Sequence, residues 1–140
     1  MYKAIDIAKY IINKCIDFGR PVSNLQLQKI LYYVQGEFMS QTDGEVLFKD
    51  DIKAWKYGPV VPSVYYEYNN YSSSDITTRQ SDVELEDEER NIIDPIIEEM
   101  SRLSAWALVQ KTHSESPWMD TYAPNRDEVI TIEKMQETYN

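Results

Sequence analysis

Ser23 and Gln26 stand three residues apart immediately before Leu27, Ile30, Leu31, Val34 and Phe38, which recur at steps of three and four. A strand would throw Leu27 and Ile30 to opposite faces, whereas a helix gathers all five on one side. The Ser-x-x-Gln spacing is that of a capping box, and Val22 with Leu27 occupy the places of a hydrophobic staple, so the pattern predicts a helix starting at Ser23. Gly36 inside it marks a point where another part of the chain comes close, and Asp43-Gly44 turns the chain.

A second amphipathic helix precedes it. Ala4, Ile5, Ala8, Ile11, Ile12, Cys15 and Ile16 form its stripe, and Gly19 with Arg20-Pro21 ends it. The Ile52–Tyr57 segment alternates weakly, as a short strand would, and Gly58-Pro59 is expected to end it. Pro62 suits the first turn of a new helix carrying Val64, Tyr65, Tyr68 and Tyr71. Further on, Ile92, Ile93, Ile96, Ile97, Met100 and Leu103 make another helical stripe. Pro95 falls inside it, so either that helix kinks or Asp94 caps a fresh one. Ser104 is a good N-cap for Ala105 to His113, with Trp106, Leu108 and Val109 as candidates for burial. Ser116-Pro117 starts one more turn, Ala123 to Asp127 reads as a loop, and a last helix covers about Thr131 to Tyr139.

At 140 residues this is one domain, 1–140, expected to be mainly α. The expected architecture is a compact helical bundle of about five to seven helices with at most a short extended or β segment around residues 52–57. No apolar run approaches the length of a membrane span or a secretory h-region, and a single cysteine suits a reducing cytoplasm.

Composition narrows the chemistry. Against 14 Lys+Arg stand 24 Asp+Glu, a formal charge of -10 that repels a phosphate backbone, so direct nucleic-acid binding is not expected. The imbalance is C-terminal: residues 1–70 hold 8 basic and 8 acidic side chains, residues 71–140 hold 6 and 16. Six carboxylates between Asp82 and Glu89 fit a solvated loop and the first turn of a helix. With one histidine, one cysteine on a core stripe, no glycine-rich phosphate loop and no paired metal-ligand motif, neither catalytic residues nor a metal or cofactor is expected. His113 beside Trp118 is the one histidine context with a catalytic look; a helix-end imbalance of free carbonyls, capped by an imidazole packed on an indole, explains it without chemistry. Six aromatics between Trp55 and Tyr71 must face a core or a partner.

Two ordered strings, Asn24-Leu25-Gln26-Leu27-Gln28-Lys29-Ile30-Leu31-Tyr32-Tyr33-Val34-Gln35-Gly36 and Ala54-Trp55-Lys56-Tyr57-Gly58-Pro59-Val60-Val61-Pro62-Ser63-Val64-Tyr65, resemble the Panacea antitoxin domain, also known as the SocA-like or phage-associated GepA-like domain. Leu103-Ser104-Ala105-Trp106 and Thr112-His113-Ser114-Glu115-Ser116-Pro117-Trp118 extend the likeness, which departs where Pro95 interrupts a helix and where Asp82 to Glu89 forms an acidic connector. The resemblance implies a small helical bacterial or phage domain, with no catalytic role, that neutralises the toxin of a neighbouring gene by binding it. Some relatives act instead as adaptors that deliver the toxin to the ClpXP protease. A phage protein binding a host factor and a small hydrolase working through His113 are the competing readings. Motif residues that are polar, aromatic or in loops ask for a reason beyond core filling, which selects Lys29, Gln35, Trp55, Tyr57, Pro59, Val60, His113 and Trp118 as candidate partner contacts.

Overall fold

The structure is a computed structural model and describes residues 1–139. Its elements are α1 (Ala4–Asp17), α2 (Asn24–Gln41), β1 (Ile52–Trp55), β2 (Gly58–Val60), α3 (Pro62–Tyr65), a 3₁₀ turn (Asn69–Tyr71), α4 (Asp87–Ser101), α5 (Ala105–His113), α6 (Ser116–Met119), β3 (Val129–Ile130) and α7 (Ile132–Thr138). The expectation of a mainly α fold holds. No helix among the described residues is long and apolar enough to cross a membrane.

Helix α2 is the axis of the fold. Its start is the capping box read from the sequence: the Gln26 N–H donates to Ser23 Oγ at 3.3 Å, and the Ser23 N–H donates to Gln26 Oε1 at 2.9 Å. Leu27, Ile30, Leu31, Tyr32, Tyr33 and Val34 are all buried, so α2 is apolar well beyond one stripe. A helix buried on several sides must be surrounded. The elements packed on it are α1, α4, α5, α7, α3 and β2. Ile7, Ile11 and Ile12 from α1, Ile93 and Ile97 from α4, and Leu108 from α5 complete the core, with Phe48 and Ile76 plugged in from loops. α1 ends as expected, with Gly19 at φ +73° and the Arg20 N–H donating back to the Cys15 carbonyl.

The sheet is larger than the sequence suggested. β1 pairs antiparallel with both β2 and β3, in the order β2-β1-β3. Gly58-Pro59 does not end the extended segment; Gly58, at φ +109°, reverses the chain across Lys56-Tyr57 and opens β2, with Trp55 opposite Gly58. β3 was not foreseen, because two residues cannot display alternation. Pro62 does start a helix, but α3 stops at Tyr65, and the chain continues as a 3₁₀ turn ended by Ser72 at φ +53°.

Pro95 neither splits α4 nor needs Asp94 as a cap. One helix runs from Asp87 to Ser101, while Asp94 accepts the Tyr10 hydroxyl at 2.6 Å and pairs with Lys14 at 3.4 Å. The missing N–H of Pro95 deprives only the carbonyl of Asn91, and both residues are exposed, so the loss falls on the solvent side of the helix. In α5, Leu108 and Val109 are buried as expected, but Trp106 is 60% exposed: positions 108, 109 and 112 face the core and 106 faces away.

Candidate functional site

The polar residues of α2 form a bed for the hairpin of β1 and β2 and for the loop that precedes it. Lys29 is 0% exposed and its Nζ donates to the Pro59 carbonyl at 3.2 Å. Burial pushes its pKa down to about 7. Gln28 donates to Asn24 Oδ1 at 2.9 Å and accepts the Val61 N–H at 2.9 Å. Gln35, also 0% exposed, donates to the Phe48 carbonyl at 2.8 Å and accepts the N–H groups of Leu47 and Phe48. Irregular backbone cannot be buried unpaired, so these side chains supply the partners that a regular sheet would have supplied. Gly58 completes the seat: a Cβ there would lie 2.8 Å from Lys29 Cε and 2.8 Å from Thr112 Oγ1.

On the other side the hairpin is clasped by aromatic rings. Trp118 Nε1 donates to the Trp55 carbonyl at 2.7 Å. His113 stacks on Trp118 with centroids 3.8 Å apart, and Trp118 stacks on Tyr122 at 4.7 Å. Burial lowers the His113 pKa against the opposing effect of a hydrogen bond to the Lys56 main chain, and nearby Lys29 lowers it further. The His113 ring closes one end of a three-ring stack centred on Trp118. Trp55 Nε1 donates to Asp127 Oδ1 at 2.9 Å, and Trp55 meets Tyr65 and Tyr66 edge to face at 5.3 and 6.3 Å. Of these rings Tyr66 is 64% exposed and Trp55 and Tyr65 are half-buried; Tyr57, at the hairpin turn under the Lys56 ammonium, is 51% exposed.

The eight candidate residues therefore divide. Trp55, Tyr57, His113 and Trp118 gather around the hairpin with surface to offer. Lys29, Gln35, Pro59 and Val60 are buried. A side chain without exposed surface gives a partner nothing to touch: Lys29 and Gln35 stand in the bed, and Pro59 and Val60 in the buried strand β2 above it. Their polar or loop character does have a reason beyond core filling, and that reason is interior hydrogen bonding. The reading from sequence passed over Tyr65 and Tyr66 individually, although the count of aromatics pointed at them, and it had no signal for Asp127, which arrives from a distant loop.

A second polar cluster joins the helices behind the hairpin. Glu115 accepts the hydroxyls of Tyr32 at 3.0 Å, Tyr33 at 2.8 Å and Tyr139 at 3.0 Å, with Lys111 Nζ 3.5 Å away. Desolvation first and the Glu115 charge second hold the Tyr32 and Tyr33 hydroxyls well above the ordinary phenol range, so both remain donors. The Tyr139 ring lies where a Cβ on Gly36 would be, 2.8 Å from it, which is the close approach that Gly36 implied.

Cys15 is buried and its thiol is pushed up to about 12 by desolvation. Among the described residues no group of three or more His, Cys, Asp or Glu is arranged to hold a metal ion. What the hairpin surface offers is rigid, half-exposed aromatic area, which suits recognition.

The family described as "Antitoxin SocA-like, Panacea domain" matches residues 27–119, a span that takes in α2 from Leu27 onward, the hairpin, α5 and Trp118. The chain belongs to this family. It is 32% identical over 125 residues to "Antitoxin SocA" of Caulobacter vibrioides (strain NA1000 / CB15N), an alignment covering 80% of this chain and 66% of that protein. This Panacea-domain chain thus spans just under two thirds of the length of that relative. No solved structure matches it.

Proposed function

We propose that this Panacea-domain protein is an antitoxin that neutralises a toxin protein by binding it with the aromatic surface around the β1–β2 hairpin. The observation that carries the reading is the coincidence of family span and geometry. Residues 27–119 contain both the buried bed of Gln28, Lys29, Gln35 and Thr112 and the half-exposed or exposed rings of Trp55, Tyr57, Tyr65 and Tyr66 around the hairpin. Such rings bring large contact area with little rotamer entropy to lose, which is why aromatic anchors dominate interface energetics. The Caulobacter vibrioides relative is an antitoxin, which supports the same role.

The formal charge of -10 adds a second motive. A toxin that grips nucleic acids or nucleotides needs a basic surface, and an acidic partner both steers onto it and competes with phosphate for it. The action is occlusion without catalysis, in the cytoplasm, where a lone buried thiol stays reduced.

Co-expression with each adjacent open reading frame tests this reading. Growth rescue with a stable co-purified complex supports direct neutralisation. Rescue without a complex, lost in cells lacking ClpXP, supports delivery of the toxin to that protease. The absence of any toxic neighbour would overturn the antitoxin reading in favour of a host-factor partner.

A further inference from the structure

β3 is an outer strand of the sheet. Its register decides which main-chain groups are free. The Ala54 N–H donates to the Glu128 carbonyl at 2.9 Å and Ile130 stands opposite Ile52, so residues 128 and 130 direct their main-chain groups to β1. Val129, between them, turns its N–H and C=O away from the sheet. Residues 124–129 are all exposed. An uncovered edge with unpaired main-chain groups is a template for another strand.

Alternation fixes the side chains along that edge. Ile52, Ala54 and Ile130 are buried, while Lys53, Trp55, Asp127 and Val129 share the outer face. The bonds confirm it: Asp127 holds Lys53 Nζ at 2.9 Å and Trp55 Nε1 at 2.9 Å. Val129 is 37% exposed. The edge is also acidic. Its two cations each face a carboxylate, Lys53 with Asp127 and Arg126 with Glu128, and Asp51, which precedes β1, has no ion-pair partner among the described residues. A second copy of this chain would bring another net charge of -10 to the edge, which opposes self-pairing and favours a basic occupant.

We propose that the β3 edge takes an extended, Lys- or Arg-bearing segment of a partner protein as a fourth strand. Its main chain pairs with Val129, a basic side chain lies beside Asp127 and the Trp55 ring, and an apolar side chain two residues along lies beside Val129. The proposal rests on the antitoxin reading in taking the toxin as that partner.

Panning short random displayed peptides against the full chain tests it. Enriched peptides are expected to carry a basic and an apolar residue two positions apart. Val129→Pro removes the outward N–H while leaving both bonds of residues 128 and 130 to β1, and should weaken these peptides by about tenfold; Val129→Thr, which keeps the main chain, should not. If Val129→Pro fails to fold, Asp127→Lys decides the matter, because it should switch the enriched charge from basic to acidic. No enrichment, or peptides indifferent to both variants, would overturn the proposal. The two readings fail separately. Growth rescue lost in Tyr66→Ala but kept in Val129→Pro removes the strand edge alone, whereas peptides that dock as described on a chain that rescues from no neighbour remove the antitoxin reading alone.

Discussion

Replacing Lys29 by Met should remove a rise of stability with pH on the alkaline side of neutrality. The Lys29 side chain is fully buried, with the Pro59 carbonyl as its hydrogen-bond partner and no carboxylate paired with it among the described residues. Desolvation lowers its pKa from 10.5 to about 7 in the folded protein. Between those values the unfolded chain holds a proton that the folded chain has released, so raising the pH favours folding. The full difference corresponds to about 5 kcal/mol, of which about 2 kcal/mol falls between about pH 7 and about pH 9. Below about pH 7 both states are protonated and the gain is absent.

Lys29→Met keeps the length of the side chain but has nothing to titrate. It also leaves the Pro59 carbonyl unpaired, at a cost of about 1 to 3 kcal/mol that does not vary with pH. The informative quantity is therefore the change in the stability difference, read from urea denaturation of both proteins at several pH values and constant ionic strength. Cys15, whose folded thiol is pushed up to about 12, and the buried tyrosines act in the opposite sense at higher pH, but they are common to both proteins and cancel. The wild type should gain about 2 kcal/mol on the variant from about pH 7 to about pH 9. Parallel curves across that window would mean that Lys29 keeps its proton when buried, and the account of a neutral lysine seating the hairpin would be wrong.

Gly58→Ala should cost about 2 to 4 kcal/mol, from the positive φ and from the 2.8 Å approaches to Lys29 Cε and Thr112 Oγ1 together, and thermal denaturation would expose a smaller effect. Gly36→Ala should be more favourable in a Tyr139→Ala background than in the wild type by about 1 kcal/mol or more, since the ring that a Cβ would meet is then gone; a double-mutant cycle with no coupling would refute the contact. Glu115→Gln should destabilise by about 1 to 3 kcal/mol in urea, because a carboxamide has one oxygen where the carboxylate takes three tyrosine hydroxyls. Tyr57→Ala and Tyr66→Ala should leave stability within about 0.5 kcal/mol while weakening the captured partner by about tenfold or more in a titration; equal loss of both would make these rings structural.

Local signals carried much of the fold. The Ser23–Gln26 box, the stop at Gly19 and the Ser104 cap each depend on residues within one turn, and each stands where the sequence placed it. What escaped depends on residues that meet only after folding. β3 is two residues long and exists because Ile130 comes to lie opposite Ile52. Gly36 is a glycine because of Tyr139, and Gly58 because of Lys29 and Thr112, and no window of sequence joins those pairs.

The same distinction explains why half of the candidate contacts lie inside. Lys and Gln are normally surface residues, so their presence in a motif suggested a partner. Here Gln28, Lys29 and Gln35 instead meet the main chain of the loops and hairpin between Leu47 and Val61. Under the proposed antitoxin role, that division has a functional consequence. A hairpin held from below by buried hydrogen bonds presents its rings in one arrangement whatever residues form the outer rim. Changes in the bed should therefore alter stability and partner binding together, whereas changes at Tyr57, Tyr66 or Val129 should alter the choice of partner while the fold stays as it is.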